Sequence, residues 1–141
     1  MEYAVEGSAN ARKYLNALMP SMIKQLGLEN SSKAVLVKVS DECPGEGFTI
    51  DVEFADAYLV MIKPRRLSGC KVTVGHKELA LTLAHELVHV KQMAKGQLKP
   101  VKNGHTWMGK RYSNKTAYLS LPWEVEAFSR QEIIMRRALE D

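Results

Sequence analysis

Apolar residues recur every three to four positions in three parts of the chain, which predicts three helices. The first spans about residues 8–27. The second, over 77–95, contains no Gly or Pro and is apolar on nearly every side, which indicates a helix buried inside the domain. The third starts at about Pro122, a residue suited to a first helical turn, and runs to about residue 139.

Strand patterns occupy the region between the first two helices. A β-branched apolar run predicts a strand over 34–39, and strict alternation predicts another over 48–54 with its apolar residues on the core. Shorter runs predict strands over 58–62 and 71–74, whereas 98–112 is compatible with a small hairpin or an extended loop. These elements predict an α+β fold: an N-terminal helix, a small mixed sheet of about four strands, a buried helix and a C-terminal helix.

Length and composition fit a single domain spanning residues 1–141. Hydrophobic residues make up 45% of the chain, which is enough for a core. The net charge of +4, from 20 basic and 16 acidic residues, is too small to indicate nucleic-acid binding by itself. Cys43 and Cys70 lack C-x-x-C spacing and are expected to stay reduced. No apolar run approaches the roughly 20 residues of a membrane span, and the start of the chain lacks a signal-peptide pattern, so we expect a cytoplasmic protein without membrane contact.

The strongest chemical signal is H-E-x-x-H at residues 85–89, inside the predicted buried helix. Residues four apart on a helix lie about 40° apart in rotation and about 6 Å apart along the axis, so His85 and His89 can bind one ion. Zinc takes such imidazole nitrogens at about 2.0 to 2.1 Å. Glu86 lies about 100° round from His85, within reach of a water on that ion, which suits a general base. A shuffled sequence of this composition would contain the motif only about 0.007 times.

Residues 83–92, L-A-H-E-L-V-H-V-K-Q, resemble the active-site helix of the zincin metallopeptidases. The resemblance implies that His85 and His89 bind Zn²⁺ and that Glu86 activates the catalytic water for hydrolysis of peptide bonds in a protein or peptide substrate. Minimal zincins place a mixed sheet before the metal-binding helix and a second helix after it. The predicted elements of this chain follow that order.

A catalytic zinc takes a third protein ligand, and three downstream residues are candidates: His105, Glu124 and Glu126. The segment E-V-E-A-F, which starts at Glu124, resembles the glutamate-ligand segment of gluzincins and implies Glu124 as ligand and Ala127 as the small residue between two helices. A helical wheel independently turns Glu124 inward and Glu126 outward. Phe128 departs from the gluzincin pattern, which has Asp or Asn there to orient a ligand histidine, so another group must do that job.

His105 is the rival third ligand. Residues 103–107 faintly resemble the ligand-histidine region of the SprT-like proteases, although the order of Gly and His is reversed and two isolated cysteines cannot build the zinc ribbon that those proteins often carry. The later segment P-W-E-x-E-A, residues 122–127, resembles small phage-encoded or microbial H-E-x-x-H proteins of unassigned substrate. That resemblance favours Glu124.

The zincin resemblance also implies two features of substrate binding. A further donor is expected for the developing oxyanion, and Tyr112, Tyr118 and His105 are the candidates. The substrate is expected to bind as an added strand along a sheet edge, formed by residues 58–62 or 48–54.

A second class of function stays open: a non-catalytic module in which zinc joins the last two helices. Basic residues would then form a nucleic-acid or acidic-partner surface, at Lys63, Arg65 and Arg66 or at Lys99, Lys102, Lys110 and Arg111. Glu86 discriminates between the two classes, because a purely structural site needs no general base. The pattern predicts no oligomeric state.

Overall fold

The computed structural model describes residues 1–64 and 72–141. Within them the chain forms three α-helices: α1 (Ala9–Gln25), α2 (Val72–Ala94) and α3 (Pro122–Glu140). Ser8 caps α1, since its hydroxyl accepts a hydrogen bond from the backbone N–H of Ala11 at 3.3 Å. Pro122 occupies the first turn of α3, where its missing N–H costs nothing. The three predicted helices are confirmed, and α2 starts earlier than predicted.

A four-stranded sheet lies beside the helices, in the order β1-β2-β4-β3. Its strands are β1 (Tyr3–Glu6), β2 (Ala34–Val39), β3 (Gly47–Val52) and β4 (Ala57–Ile62). β1, β2 and β4 are parallel, and β3 runs antiparallel to β4, so the sheet is mixed. β4 is therefore paired on both sides, and β3 forms a free edge within the described part of the chain. The predicted α+β class is confirmed.

After α2 the chain forms a second, antiparallel sheet from three strands: β5 (Leu98–Val101), β6 (Gly104–Trp107) and β7 (Lys110–Ser113). The predicted hairpin is present and a third strand extends it. Both of its turns contain positive φ angles, at Asn103 (61°) in the first and at Met108 (51°) and Gly109 (85°) in the second. Asn and Gly adopt such angles readily. This sheet packs against the start of α3 and closes one side of the site described below.

One predicted strand is wrong and one strand was not predicted. Residues 72–74 belong to α2, so the strand expected over 71–74 is wrong, and Lys71 itself lies outside the described residues. The segment V-T-V favours a strand by propensity, but the helical backbone continues through it. The fourth strand is β1, whose one buried side chain, Val5, makes too little pattern to be recognised.

Three further residues named above also lie outside the described residues: Arg65, Arg66 and Cys70.

The apolar residues of β3 face away from the helices, contrary to the expectation that they face the core. Thr49 lies on the helical side, where its hydroxyl oxygen is 3.2 Å from the backbone O of Glu86 in α2. Ile50 lies on the opposite face beside Leu59 of β4 and is 47% exposed. An alternating pattern does not show which face of a strand meets the helices. In β3 the hydrogen-bonding contact between Thr49 and α2 places the polar face toward the helices.

The core lies between the four-stranded sheet and the helices. Its completely or almost completely buried side chains come from both layers: Leu15, Met19, Met22, Val35, Val37, Val60, Ile62, Leu83 and Leu87. Burial of each stabilises the fold by about 1.5 to 3 kcal/mol. α3 packs mainly on α2, and its Ala127 is completely buried, which allows the close approach of the two helices. Among the described residues, no helix has both the length and the apolarity to cross a membrane.

Candidate metal centre

Three side chains from two helices converge on one point. His85 and His89 lie about one turn apart in α2, and Glu124 lies in the first turn of α3. Glu124 Oε1 is 3.0 Å from the Nε2 atoms of both histidines, and each of the three residues is 7% exposed. One potential ligand atom from each residue lies within 4.8 Å of the others. This buried group can hold a metal ion.

The donor set of this group suits a divalent ion such as zinc. Two imidazole nitrogens and one carboxylate oxygen are common zinc ligands, and a catalytic zinc leaves its fourth position open. Ligands about 2.0 Å from a tetrahedral ion lie about 3.3 Å apart. The separation between Glu124 Oε1 and each imidazole Nε2 is 3.0 Å. The group therefore needs little movement to coordinate an ion.

Gln92 fixes the orientation of His89 from the next turn of α2. It is completely buried, and its Nε2 donates to the backbone O of Trp123 at 3.0 Å and to Oε1 of Glu126 at 2.8 Å. The carbonyl and the ionised carboxylate can only accept, so the amide oxygen of Gln92 must face His89 Nδ1, which is 2.8 Å away. His89 Nδ1 therefore carries a proton. Its Nε2 can donate to Glu124 only when the ring is protonated, and in the neutral ring Nε2 instead presents a lone pair that can bind an ion.

Gln131 holds His85 in the same way. Its Oε1 lies 2.7 Å from His85 Nδ1. Phe128, where the gluzincin pattern has a carboxylate or amide, instead packs its ring against His85 with the centroids 4.6 Å apart. Gln131 lies about one turn after Phe128, on the stripe of α3 that also carries Glu124. That shared stripe is the sequence signal that identifies Gln131 as the replacement.

Glu86 lies beside His85, His89 and Glu124, but its carboxylate is hydrogen-bonded to a residue of β3. It is 6% exposed, and Thr49 Oγ1 of β3 donates to its Oε1 at 2.8 Å. Burial raises the pKa of Glu86 above its ordinary value, which outweighs the lowering effects of His89 and the Thr49 hydrogen bond. Gly47 permits this close approach of β3 to α2, because a Cβ there would lie 3.0 Å from Thr82 Cγ2 and 3.4 Å from Glu86 Cγ, both in α2.

Glu124 has the opposite pKa shift. Burial alone would raise its pKa, but hydrogen bonds from His85 and His89 outweigh burial and lower the pKa to about 2. The Tyr118 hydroxyl donates to the same Oε1 at 3.1 Å. Burial and the nearby Glu124 raise the pKa of Tyr118, so its phenol stays protonated at neutral pH. The two carboxylates thus differ: Glu124 is an ionised acceptor held by several donors, and Glu86 is the more basic group.

The aromatic residues of the three-stranded sheet pack around Trp123 at the start of α3. The ring centroids of His105 and Tyr112 lie 5.5 Å and 5.6 Å from that of Trp123, and Trp107 lies 6.4 Å away. His105 is not a member of the metal-ligand group, and the structure brings Glu124 to the histidines in place of this rival. Tyr112, a candidate oxyanion donor in the sequence, contacts Trp123 and not the ligand carboxylate.

Glu126, the remaining ligand candidate, joins α2 to α3. Lys91 Nζ lies 2.8 Å from its Oε2, and Arg130 lies 3.5 Å from the same oxygen. Burial would raise the pKa of Glu126, but the hydrogen bonds from Lys91 and Gln92 outweigh burial and lower it. Glu126 therefore faces away from the metal-ligand group as predicted, but it is part of the helix interface and is not fully exposed to solvent.

Two members of the group, His89 and Glu124, line a cleft of about 260 Å³, and His85 lines a neighbouring pocket that shares Gly47, Glu86 and Tyr118 with it. Residues of both sheets and of two helices line this cleft: Gly47, Phe48, Thr49, Glu86, His89, Met93, Leu98, His105, Tyr118, Trp123 and Glu124. A bound ion and a reacting group would thus share one open space with Glu86 and Tyr118. The cleft is consistent with a site that admits a substrate.

Comparisons with known protein families, with curated proteins and with solved structures find no match to this chain.

Proposed function

We propose that the chain is a zinc-dependent endopeptidase of the zincin type, with His85, His89 and Glu124 as metal ligands and Glu86 as the general base. The observation that carries the proposal is the position of Glu86. It is buried beside the ligand group, yet its carboxylate is held by Thr49 and is not needed for ligation. A site that only stabilises the fold has no use for such a group.

Zinc is the proposed ion because two neutral imidazoles and one carboxylate suit it and leave an open position. When bound, zinc would supply Lewis acidity, polarising the substrate carbonyl and lowering the pKa of a water molecule to about 7. Gln92 and Gln131 support this use, because they hold both ligand rings in place through their Nδ1 atoms.

Glu86 would move one proton. As the water oxygen bonds to the carbonyl carbon, a carboxylate oxygen of Glu86 accepts a proton from that water. When the carbon–nitrogen bond breaks, Glu86 returns the proton to the departing amine nitrogen. Burial favours this use, since it raises the pKa of Glu86 and makes it a stronger base than an exposed glutamate.

Tyr118 is the proposed donor to the developing oxyanion. Its hydroxyl is 3.1 Å from the ligand carboxylate of Glu124 and its raised pKa keeps the proton available. Of the three candidates from the sequence, it is the one that contacts the ligand group directly. His105 lines the cleft but contacts Trp123, and burial lowers its pKa.

The strand that would receive the substrate is β3. Of the two edges expected from the sequence, 58–62 is excluded because β4 is paired with β2 and with β3. β3 is paired with β4 alone in the described chain, and its Thr49 contacts Glu86. An extended peptide that pairs with β3 would therefore pass the general base.

The test is Glu86→Gln, measured in zinc-loaded protein with casein as substrate. We expect zinc content to stay close to that of the wild type and the melting temperature not to fall, while the rate of cleavage falls by about 10²- to 10⁴-fold. Glu132→Gln on the exposed side of α3 is the matched control and should leave the rate unchanged. A fully zinc-loaded wild type that cleaves neither casein nor itself overturns the proposal.

The non-catalytic module remains the second candidate, supported by the charge distribution. Residues 87–123 contain no acidic side chain, and the three-stranded sheet and its flanks carry most of the basic residues there: Lys95, Lys99, Lys102, Lys110, Arg111 and Lys115. A nucleic acid held by these side chains would dissociate as salt rises. Salt-dependent binding of an oligonucleotide by a wild-type protein without peptidase activity would favour this candidate.

A further inference from the structure

A groove of about 880 Å³ runs along the free edge of β3 and opens into the metal-site cleft. Residues 49–54 form one wall, and β5 forms the other through Leu98, Lys99 and Pro100. Four residues line both the groove and the cleft that contains Glu86 and Glu124: Thr49, Met93, Leu98 and His105. A peptide that lies in the cleft therefore has a continuous path into the groove.

Apolar side chains make up most of the groove. Ile50 is 47% exposed, and Phe54 is 97% exposed on the short 3₁₀ turn that follows β3. The others are Val52, Met93, Leu98 and Pro100. An apolar ligand that covers an exposed aromatic side chain removes its apolar surface from water, and this burial stabilises the complex. Exposed apolar patches of this kind are typical of binding surfaces.

The charged residues of the groove give it no strong preference for an ionic ligand. Asp51 lines the groove, but its carboxylate is paired at 2.5 Å with Lys33, which does not line the groove. Glu53 and Lys99 line the groove and have opposite charges. A large uncharged side chain is therefore the best match to this lining.

The position of the groove along β3 gives a register for the ligand. Thr49 contacts Glu86, the proposed general base, and Ile50 to Phe54 follow Thr49 along the chain. A strand rises about 3.3 Å per residue, so each residue from Ile50 onward lies farther from Glu86. Antiparallel pairing is the more common arrangement of strands, and it would direct the N-terminal side of a bound peptide toward Phe54. The residues that reach the groove would then lie two to four positions before the cleaved bond.

We propose that this groove is the substrate-recognition site, and that it takes a large apolar side chain two to four residues N-terminal to the bond cleaved. The inference rests on the proposed peptidase function and names its substrate class: extended segments with a Phe, Leu or Met upstream of the cleavage point.

Binding is tested without turnover in zinc-loaded Glu86→Gln protein. The probes are fluorescein-labelled octapeptides of Ala, Ser and Gly that carry either one Phe or an Ala at the same position, and anisotropy gives their Kd. We expect the Phe peptides to bind at least 10-fold more tightly. Adding Ile50→Ala and Phe54→Ala should remove this difference, whereas Ile133→Ala and Leu139→Ala, at exposed apolar positions of α3 outside the groove, should preserve it.

Cleavage by the wild type tests the register separately. Mass spectrometry of the digested Phe octapeptides should place the new N-terminus two to four residues after Phe. Equal binding of Phe and Ala peptides, or an equal loss in the α3 control, overturns the groove assignment while cleavage of casein would still support the peptidase. A Phe preference in binding without cleavage of any substrate supports the groove as a peptide site and overturns the peptidase.

Discussion

The two walls of the cleft are built differently. The helical wall, formed by α2 and α3, holds its polar side chains buried, with hydrogen-bond partners at 2.7 to 3.1 Å. The strand wall, formed by β3 and the three-stranded sheet, is open, and it exposes Ile50 and Phe54 to solvent. Under the proposed function the difference would separate two tasks: the helical wall would preorganise the three proposed metal ligands, and the strand wall would leave room for a substrate to bind.

Thr49 is where the two walls meet. It belongs to the edge strand, and its hydroxyl lies 2.8 Å from a carboxylate oxygen and 3.2 Å from the backbone O of Glu86 in α2. A peptide paired with β3 would thereby be placed relative to Glu86, the proposed general base, by one short contact. Substitutions in the helical wall should therefore have larger effects than a substitution at this junction.

Of the substitutions in the helical wall, Glu124→Gln should have the largest effect on zinc binding. The amide would remove the ionised oxygen that both imidazoles contact at 3.0 Å. Since loss of a residue that only holds a ligand costs about 10- to 100-fold in metal affinity, we expect loss of a ligand to cost more. Zinc content after dialysis against a chelator measures this loss. Glu132→Gln is the control, and undiminished zinc retention by Glu124→Gln would rule out the ligand assignment.

Gln92→Leu should weaken zinc binding by about 10- to 100-fold, because His89 loses the amide oxygen that holds its Nδ1–H. The readouts are the zinc Kd by competition with a chelator and the nitrogen-15 shifts of His89, which report its tautomer. Gln25→Leu is a matched control, since Gln25 also links two helices, donating to the backbone O of Ile134 at 3.1 Å. A similar loss of zinc affinity in both variants would show that Gln92 stabilises the helix pair and does not specifically orient His89.

The helical wall is also the part that the sequence predicts best. His85, Glu86 and His89 are placed by helical spacing alone, and the inward stripe of α3 identifies Glu124 and, in principle, Gln131. These predictions succeed because a helix fixes which residues share a face over short sequence distances.

The strand wall is predicted less well because long-range pairing decides it. Alternation marks 48–54 as a strand but does not say which face meets α2, and Thr49 lies on the face expected to be solvent-exposed. Local pattern also cannot tell that β4 is internal while β3 is the edge, since both have apolar residues. The order of strands in a sheet depends on contacts between residues far apart in sequence.

Glu86→Gln should change the pH dependence of stability. The pKa of Glu86 is raised in the folded protein, so its contribution to stability is complete below the ordinary glutamate pKa and is lost as pH rises through the folded value. The free energy of unfolding of the variant, relative to the wild type, should therefore increase over this interval, by about 1.4 kcal/mol per unit of pKa difference. Urea unfolding in the presence of a chelator measures it. A pH-independent difference would contradict the buried, proton-binding state of Glu86.

Thr49→Val should have the smallest effect and acts at the junction of the two walls. The substitution keeps the shape of the side chain but removes the hydroxyl that donates to Glu86, and this hydrogen bond lowers the pKa of that carboxyl. Without it the pKa of Glu86 should rise further, so the acid limb of the kcat/KM profile should move to higher pH, while the rate well above that limb stays within about 10-fold of the wild type. Thr106→Val on β6 is the control. An unmoved acid limb would show that Thr49 sets the spacing of β3 and α2 but does not tune the base, and the strand wall would then contribute to binding alone.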